Sequence, residues 1–165
     1  MNAISFLLKP ASASCNMRCR YCFYEDVSNL RERHNLGLMS LETADSLIEW
    51  VFSSLDDDGV VSFAFQGGEP TLAGLDFFKA FTRKVNETRK KNQKVSFSLQ
   101  TNGYSLGEDW ATFFKENSFL VGISVDGNLK EHNRNRIDAK GEGTYLRILE
   151  NVKILEKYGV DYNAL

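Results

Sequence analysis

The sequence lacks the long apolar runs of a membrane protein and the excess of positive charge that is typical of nucleic-acid-binding proteins. Its longest apolar stretches, such as Val60–Phe65 and Phe119–Val125, have the length of strands and fall far short of the roughly 20 residues that a membrane span needs. No basic leader precedes the first apolar run, so we predict no secretory signal and a cytoplasmic location. The formal net charge of -2 over 165 residues argues against nucleic acid and membrane surfaces as partners.

Cysteine is also scarce. The chain has three cysteines, and all of them lie between Cys15 and Cys22. An odd number of cysteines in so short a window excludes a disulfide framework. We therefore interpret them as ligands of a metal or of a cluster.

What the sequence does contain is an alternation of apolar, β-branched runs with amphipathic stretches, which indicates repeated βα units. The predicted strands are Ile4–Lys9, Val60–Phe65, Val95–Gln100, Phe119–Val125 and one that begins at Val160. The first predicted helix follows an N-cap at Ser40, and the others are Leu75–Lys90, Gly107–Glu116 and Thr144–Tyr158. The segment Glu25–Gly37 is predicted to be a polar connection. Strand four is nearly all apolar, so we expect it to be buried on both faces of a parallel sheet.

These repeats predict an α/β fold with a parallel sheet. They are compatible either with a small open sheet or with the front part of a βα barrel, and right-handed crossovers are expected in both. Because the chain stops inside the fifth predicted strand, we expect it to be a fragment of a longer protein.

The cysteines form a CxxxCxxC pattern, with the sequence CNMRCRYC from Cys15 to Cys22, at the carboxyl end of the first predicted strand. Three thiolates on one loop can bind three irons of a cubane and leave the fourth iron open to another ligand. Two alternatives remain on spacing alone: a zinc site completed by His34, which lies twelve positions after Cys22, or buried thiols without any ligand.

A second motif, Gly67-Gly68-Glu69-Pro70, follows the second strand. The glycines allow a close approach of the backbone to a ligand, and Glu69 offers a carboxylate to a cationic amino group. By itself the motif equally fits a tight turn between a strand and a helix.

These residues resemble the radical S-adenosylmethionine (SAM) superfamily, whose signature is CxxxCxxC with an aromatic residue, here Tyr21, before the last cysteine. The resemblance continues in order through Gly67–Pro70, Thr101–Gly103 and Ser124–Gly127, and it covers essentially all 165 residues. It implies that residues 1–165 form a radical SAM core domain, the N-terminal part of a (βα)6 partial TIM barrel truncated in the fifth strand.

The same resemblance implies a [4Fe-4S] cluster on Cys15, Cys19 and Cys22, with SAM at the open iron. The residues that it places around SAM are Tyr21, Gly67, Gly68, Glu69, Ser124 and Arg136. Gln66 and Asn102 follow strand ends at the same rim, so we expect them to contact SAM or to order the site. As bare residues, Ser124 and Arg136 also fit a strand-end hydroxyl and a surface ion pair. We interpret His132, which follows the fourth strand, as structural.

Longer stretches, among them residues 22–24, 63–75, 99–103 and 119–127, look like the anaerobic sulfatase-maturating enzymes. This resemblance implies that a 5′-deoxyadenosyl radical takes a hydrogen atom from the β-carbon of a Cys or Ser in a sulfatase polypeptide. Loss of an electron and a proton then gives Cα-formylglycine. It further implies a one-electron reductant such as flavodoxin or ferredoxin, and it places Tyr24 near the target side chain.

The chain departs from that family in one respect. The family carries a C-terminal SPASM-type region with cysteines for two further clusters and an acidic residue proposed as a base, whereas no cysteine follows Cys22 here. We therefore expect these 165 residues to bind the first cluster without oxidising a sulfatase peptide. A SPASM-type maturase of another ribosomal peptide and a zinc-binding regulatory module remain as alternatives.

Overall fold

A computed structural model describes all 165 residues and contains five β-strands and six α-helices. The strands are β1 (Ala3–Leu8), β2 (Val60–Phe65), β3 (Lys94–Thr101), β4 (Phe119–Ile123) and β5 (Asp161–Ala164). The helices are α1 (Phe23–Asn29), α2 (Leu41–Ser54), α3 (Leu75–Thr88), α4 (Glu108–Glu116), α5 (Leu129–Asn135) and α6 (Tyr145–Lys157), with a 3-10 turn at Pro70–Ala73. No helix has both the length and the apolar character that crossing a bilayer requires.

The strands form one parallel sheet in the order β1-β2-β3-β4-β5. When parallel strands follow one another in chain order, right-handed crossovers place every connecting helix on the same face of the sheet. That arrangement is an arc of a βα barrel, because a doubly wound sheet reverses its strand order and carries helices on both faces. The structure thus decides between the two architectures that the sequence left open.

An aromatic row crosses the covered face of the sheet. Phe6, Phe63, Phe97 and Phe119 are paired in register on β1 to β4. Successive rings are stacked, with centroids 5.9, 6.1 and 5.0 Å apart. Stacked pairs of this kind contribute about 0.5–1.5 kcal/mol each beyond the area they bury. The row therefore fixes the register that brings the four strand ends to a common rim.

The opposite face of the sheet is open. Leu7 on β1 and Leu120 on β4 are 55% and 46% exposed. The prediction that strand four runs to Val125 and is buried on both faces is therefore wrong: β4 ends at Ile123, and only its alternate residues Phe119, Val121 and Ile123 are buried. The reason is that the connecting helices α2, α3, α4 and α6 pack on one face of the sheet.

Helix α2 begins where its predicted capping residue places it. The Ser40 hydroxyl accepts a hydrogen bond from Thr43 N at 3.1 Å and caps α2, as expected of an N-cap.

Two short helices were not predicted. Helix α1 occupies the first part of the supposed polar connection, and α5 is capped by the side chain of Asn128. Each has seven residues, which is too short for an apolar period to emerge from the sequence.

Candidate active site

A cavity of about 240 Å³ opens at the carboxyl ends of the strands and is lined by 14 residues. Eleven of the twelve residues predicted for the site line it: Cys15, Cys19, Tyr21, Cys22, Tyr24, Gln66, Gly67, Gly68, Asn102, Ser124 and Arg136. The sequence did not single out the other three, Phe23, Gln100 and Thr101. Parallel strands in register explain this convergence, because residues that follow each strand end meet at one rim.

The cysteine loop is held against the end of α5 and the residues that follow it. Backbone N–H groups of Arg18 and Arg20 donate to the carbonyls of Ile137 and Asn135 at 2.8 and 2.9 Å. Met17 between the cysteines is 2% exposed and anchors the loop to the core. The three thiols are free and half-buried, so the loop presents them without a disulfide.

Gly68 makes the closest approach between the cysteine loop and the turn after β2. Its φ is +53°, and a Cβ there would lie 2.3 Å from the carbonyl oxygen of Ser14. The same carbonyl accepts a hydrogen bond from Glu69 N at 2.7 Å. The glycine is therefore needed for packing between two loops of the protein as well as at the cavity wall.

Glu69, which the sequence offers as a carboxylate for a ligand, is not among the residues that line the cavity. The residue is fully buried. Its Oε1 accepts hydrogen bonds from Thr71 N, Thr71 Oγ1 and Thr101 Oγ1 at 3.1, 2.7 and 2.7 Å, and its Oε2 accepts one from Asn102 N at 2.8 Å. Burial raises the pKa of Glu69, and these hydrogen bonds oppose the rise. The carboxylate ties the turn after β2 to the end of β3.

Asn102 connects this rim to the cysteines. Its amide donates hydrogen bonds to Asn16 Oδ1 at 2.8 Å and to the Cys15 sulfur at 3.7 Å. The Cys15 sulfur also accepts a hydrogen bond from the backbone N–H of Met17. Burial raises the pKa of the Cys15 thiol, and it raises the pKa of Cys19 to about 11 despite the positive charge of Arg136. The Cys15 and Cys19 thiols are thus partly removed from water.

The arrangement favours a cluster over a single metal ion. No group of three or more His, Cys, Asp or Glu side chains is placed to hold one ion. A zinc site needs its ligands around one point, whereas each cysteine of a cubane binds an iron of its own. His34 lies in a second cavity behind the cysteine loop, and its Nδ1 is 3.0 Å from the carbonyl oxygen of Ser28.

Arg136 forms the charged wall of the cavity. Its Nε donates to Asp126 Oδ1 at 2.9 Å, and Tyr21 donates its hydroxyl to Asp126 Oδ2 at 2.6 Å. Burial acts to raise the pKa of Asp126, but the hydrogen bonds from Tyr21 and Arg136 outweigh it and the pKa is lowered. Burial and the bond to Asp126 raise the pKa of Tyr21. Asp126 therefore fixes an aromatic ring and a guanidinium side by side.

His132 supports this wall from behind and is fully buried. Its Nδ1 accepts the N–H of Asp126 at 3.3 Å, and its Nε2 lies 3.0 Å from Thr144 Oγ1. Since the Thr144 hydroxyl donates to the carbonyl of Arg136, His132 must donate from Nε2. These bonds support the interpretation of His132 as structural.

Comparison with known proteins agrees with this geometry. The sequence matches the Radical SAM superfamily over residues 10–165. The chain belongs to the radical SAM superfamily. Members of this superfamily use a [4Fe-4S] cluster and SAM.

This radical SAM chain is 47% identical over its whole length to the cysteine-type anaerobic sulfatase-maturating enzyme of Clostridium novyi, and it covers 44% of that protein. It is 33% identical to the serine-type enzyme of Bacteroides thetaiotaomicron, matching over 96% of this chain and 38% of the relative. The chain thus spans less than half the length of the curated relatives it matches.

Solved structures show the same fold. The structure of histidine-tagged anSMEcpe with bound AdoMet superposes with a TM-score of 0.90 at 42% identity, over 98% of this chain and 43% of that chain. Native anSMEcpe with bound AdoMet and the Cp18Cys peptide gives a TM-score of 0.88 at 42% identity, over 99% of this chain and 42% of that chain. AdoMet is SAM. The partial barrel predicted from the sequence is confirmed.

Proposed function

We propose that residues 1–165 are the radical SAM core domain of an enzyme that oxidises a Cys or Ser of a sulfatase polypeptide to Cα-formylglycine. The observation that carries the proposal is the single cavity at the strand ends, which gathers the three thiols and eight other residues predicted for the site. The similarity to cysteine-type and serine-type sulfatase-maturating enzymes supports the substrate class, and a bound peptide in a similar structure supports a polypeptide substrate.

In this proposal Cys15, Cys19 and Cys22 hold the [4Fe-4S] cluster. The residues fit that group, since all three thiols are free, share one cavity and have no disulfide partner. When bound and reduced, the cluster with SAM supplies a 5′-deoxyadenosyl radical that removes a hydrogen atom from the substrate β-carbon. The electron comes from a one-electron carrier such as flavodoxin or ferredoxin.

The other lining residues bind and orient SAM. Arg136 is the one cationic side chain among the 14 lining residues, so it is the group suited to the SAM carboxylate. Ser124 and Gln66 contribute polar groups from neighbouring strand ends, and Glu69 holds the end of β3 in place. Tyr24 lines the same cavity, where Gln66 donates a hydrogen bond to its hydroxyl, and this position supports a contact between Tyr24 and the peptide.

We further propose that these 165 residues assemble the cluster without oxidising a peptide alone. No cysteine follows Cys22, so additional clusters need ligands from other residues. A complete two-electron oxidation requires an acceptor for the second electron, and this chain provides no second set of thiolates.

Anaerobic reconstitution with iron and sulfide tests the proposal. The wild-type chain is expected to acquire iron and sulfide in equal amounts with a brown absorption, and to bind SAM by calorimetry. Cys19→Ala should abolish loading, whereas the matched control His34→Ala should load normally. Stoichiometric zinc uptake without sulfide that is lost in His34→Ala would support the regulatory module instead.

Peptide oxidation is followed by mass spectrometry with a full-length relative as the positive control. The relative should convert a sulfatase peptide to the aldehyde, and the 165-residue chain should leave it unchanged. Aldehyde formation by the isolated chain would contradict the proposal that further residues are required.

A further inference from the structure

The side chain of Gln100 on β3 lies over the neighbouring strand β4 at Gly122, which has no side chain. It is paired with Gly122 in the register of β3 and β4. A Cβ built on Gly122 would lie 2.1 Å from Gln100 Oε1 and 2.9 Å from Gln100 Cδ. The Gln100 amide therefore occupies the space that any other residue at position 122 would fill.

This position brings the amide to the site. Residues two apart on a strand point to the same face, so Ser124 follows Gly122 along the open side of the sheet. Gln100 Nε2 donates a hydrogen bond to Ser124 Oγ at 3.1 Å. Both Gln100 and Ser124 line the 240 Å³ cavity, whereas Gly122 does not.

The hydrogen bond determines what Ser124 can offer a ligand. A serine hydroxyl has one proton and two lone pairs, and Gln100 occupies one lone pair. The amide of Gln100 is the sole side-chain or backbone partner of Ser124 Oγ in the structure. The hydroxyl proton thus remains free to point into the cavity.

We propose that Gln100 is a positioning residue that fixes Ser124 as a hydrogen-bond donor towards an acceptor oxygen of SAM, and that Gly122 is required because it leaves room for the Gln100 amide. The inference rests on the proposed function, because it takes SAM as the occupant of the cavity. It assigns roles to two residues that the motifs of the sequence do not single out.

The decisive variant is Gly122→Ala, which changes a residue outside the cavity. The strand backbone at position 122 has no positive φ, and the nearest atom is the end of a flexible side chain, so the protein should fold with Gln100 displaced. The added Cβ would also lie 3.3 Å from Leu165 Cδ1, a contact that this exposed side chain can relieve. Loss of one hydrogen bond to the ligand should raise the Kd for SAM about three- to tenfold.

The experiment measures the SAM Kd of the reconstituted holoprotein, together with its iron content and the EPR spectrum of the reduced cluster with SAM. Gln100→Ala should weaken SAM binding as much as Gly122→Ala does. In the Gln100→Ala background, Gly122→Ala should have no further effect, because the group it displaces is absent. A general loss of stability would not depend on the background in this way. Gly107→Ala, a substitution with no atom within 4 Å of the new Cβ, is the matched control.

The outcomes separate the inference from the proposed function. Wild-type affinity in Gly122→Ala, or additive losses in the double variant, would overturn the role of Gln100 while SAM binding by the wild-type protein stands. Failure of the wild-type holoprotein to bind SAM would overturn the proposed function itself. Equal losses in both single variants with no further loss in the double variant support the inference.

Discussion

Replacing Gly68 by alanine should disconnect the cysteine loop from the turn after β2. The φ of +53° costs a non-glycine residue about 1–2 kcal/mol. The new Cβ would lie 2.3 Å from the Ser14 carbonyl oxygen, so the two backbones must separate, and the hydrogen bond from Glu69 N to that oxygen is lost at about 0.5–1.5 kcal/mol. We expect a total loss of about 1.5–3.5 kcal/mol in the free energy of unfolding.

The separation also moves Cys15, which follows Ser14 directly. Urea denaturation measures the stability of the chain, and iron and sulfide contents after anaerobic reconstitution measure the site. Gly68→Ala should take up clearly less iron and sulfide than the wild-type protein. The matched control is Gly141→Ala, where φ is +85° and nothing lies within 4 Å, so that variant should bear the backbone cost alone and load the cluster fully. If Gly68→Ala matched Gly141→Ala in both stability and cluster content, the close contact between Gly68 and the Ser14 carbonyl would not matter for the site, and this prediction would be refuted.

Two further substitutions test the wall of the cavity. Asp126→Asn should lower the free energy of unfolding by about 1.5–3 kcal/mol, because Arg136 and Tyr21 lose a charged partner. The control Asp57→Asn breaks a solvent-exposed ion pair and should leave the free energy of unfolding nearly unchanged. Equal urea midpoints for the two variants would argue against this role of Asp126. Burial lowers the pKa of His132 in the folded chain, so the unfolded chain binds the proton more tightly. Stability should therefore be complete above about pH 6.5 and fall as the pH drops through the lower folded pKa, and thermal unfolding of His132→Gln should show a smaller pH dependence, a result that an unchanged dependence would contradict.

The sequence predicted the repeated βα units because strand periodicity and helix caps are local signals. Phe63 and Phe65 alternate with small residues along β2, and this alternation already indicates a strand with one apolar face. The short helices α1 and α5 escaped prediction because seven residues hold too few apolar positions to show a period. The burial of β4 was overestimated because apolar content does not reveal whether helices cover one face of a sheet or both.

The site was predictable in its membership but not in all of its roles. The cysteine spacing and the position of each motif after a strand are properties of the chain, and parallel strands in register necessarily bring such residues to one rim. The direction of the Glu69 carboxylate depends on Thr101 and Asn102, which are 32 and 33 residues away. The need for Gly68 depends on Ser14, and the part played by Gln100 depends on Gly122. Sequence alone indicated most of the residues that meet at the cavity. Only the tertiary structure decided which side chains line the cavity and which support its wall, because that follows from close contacts between segments far apart in the chain.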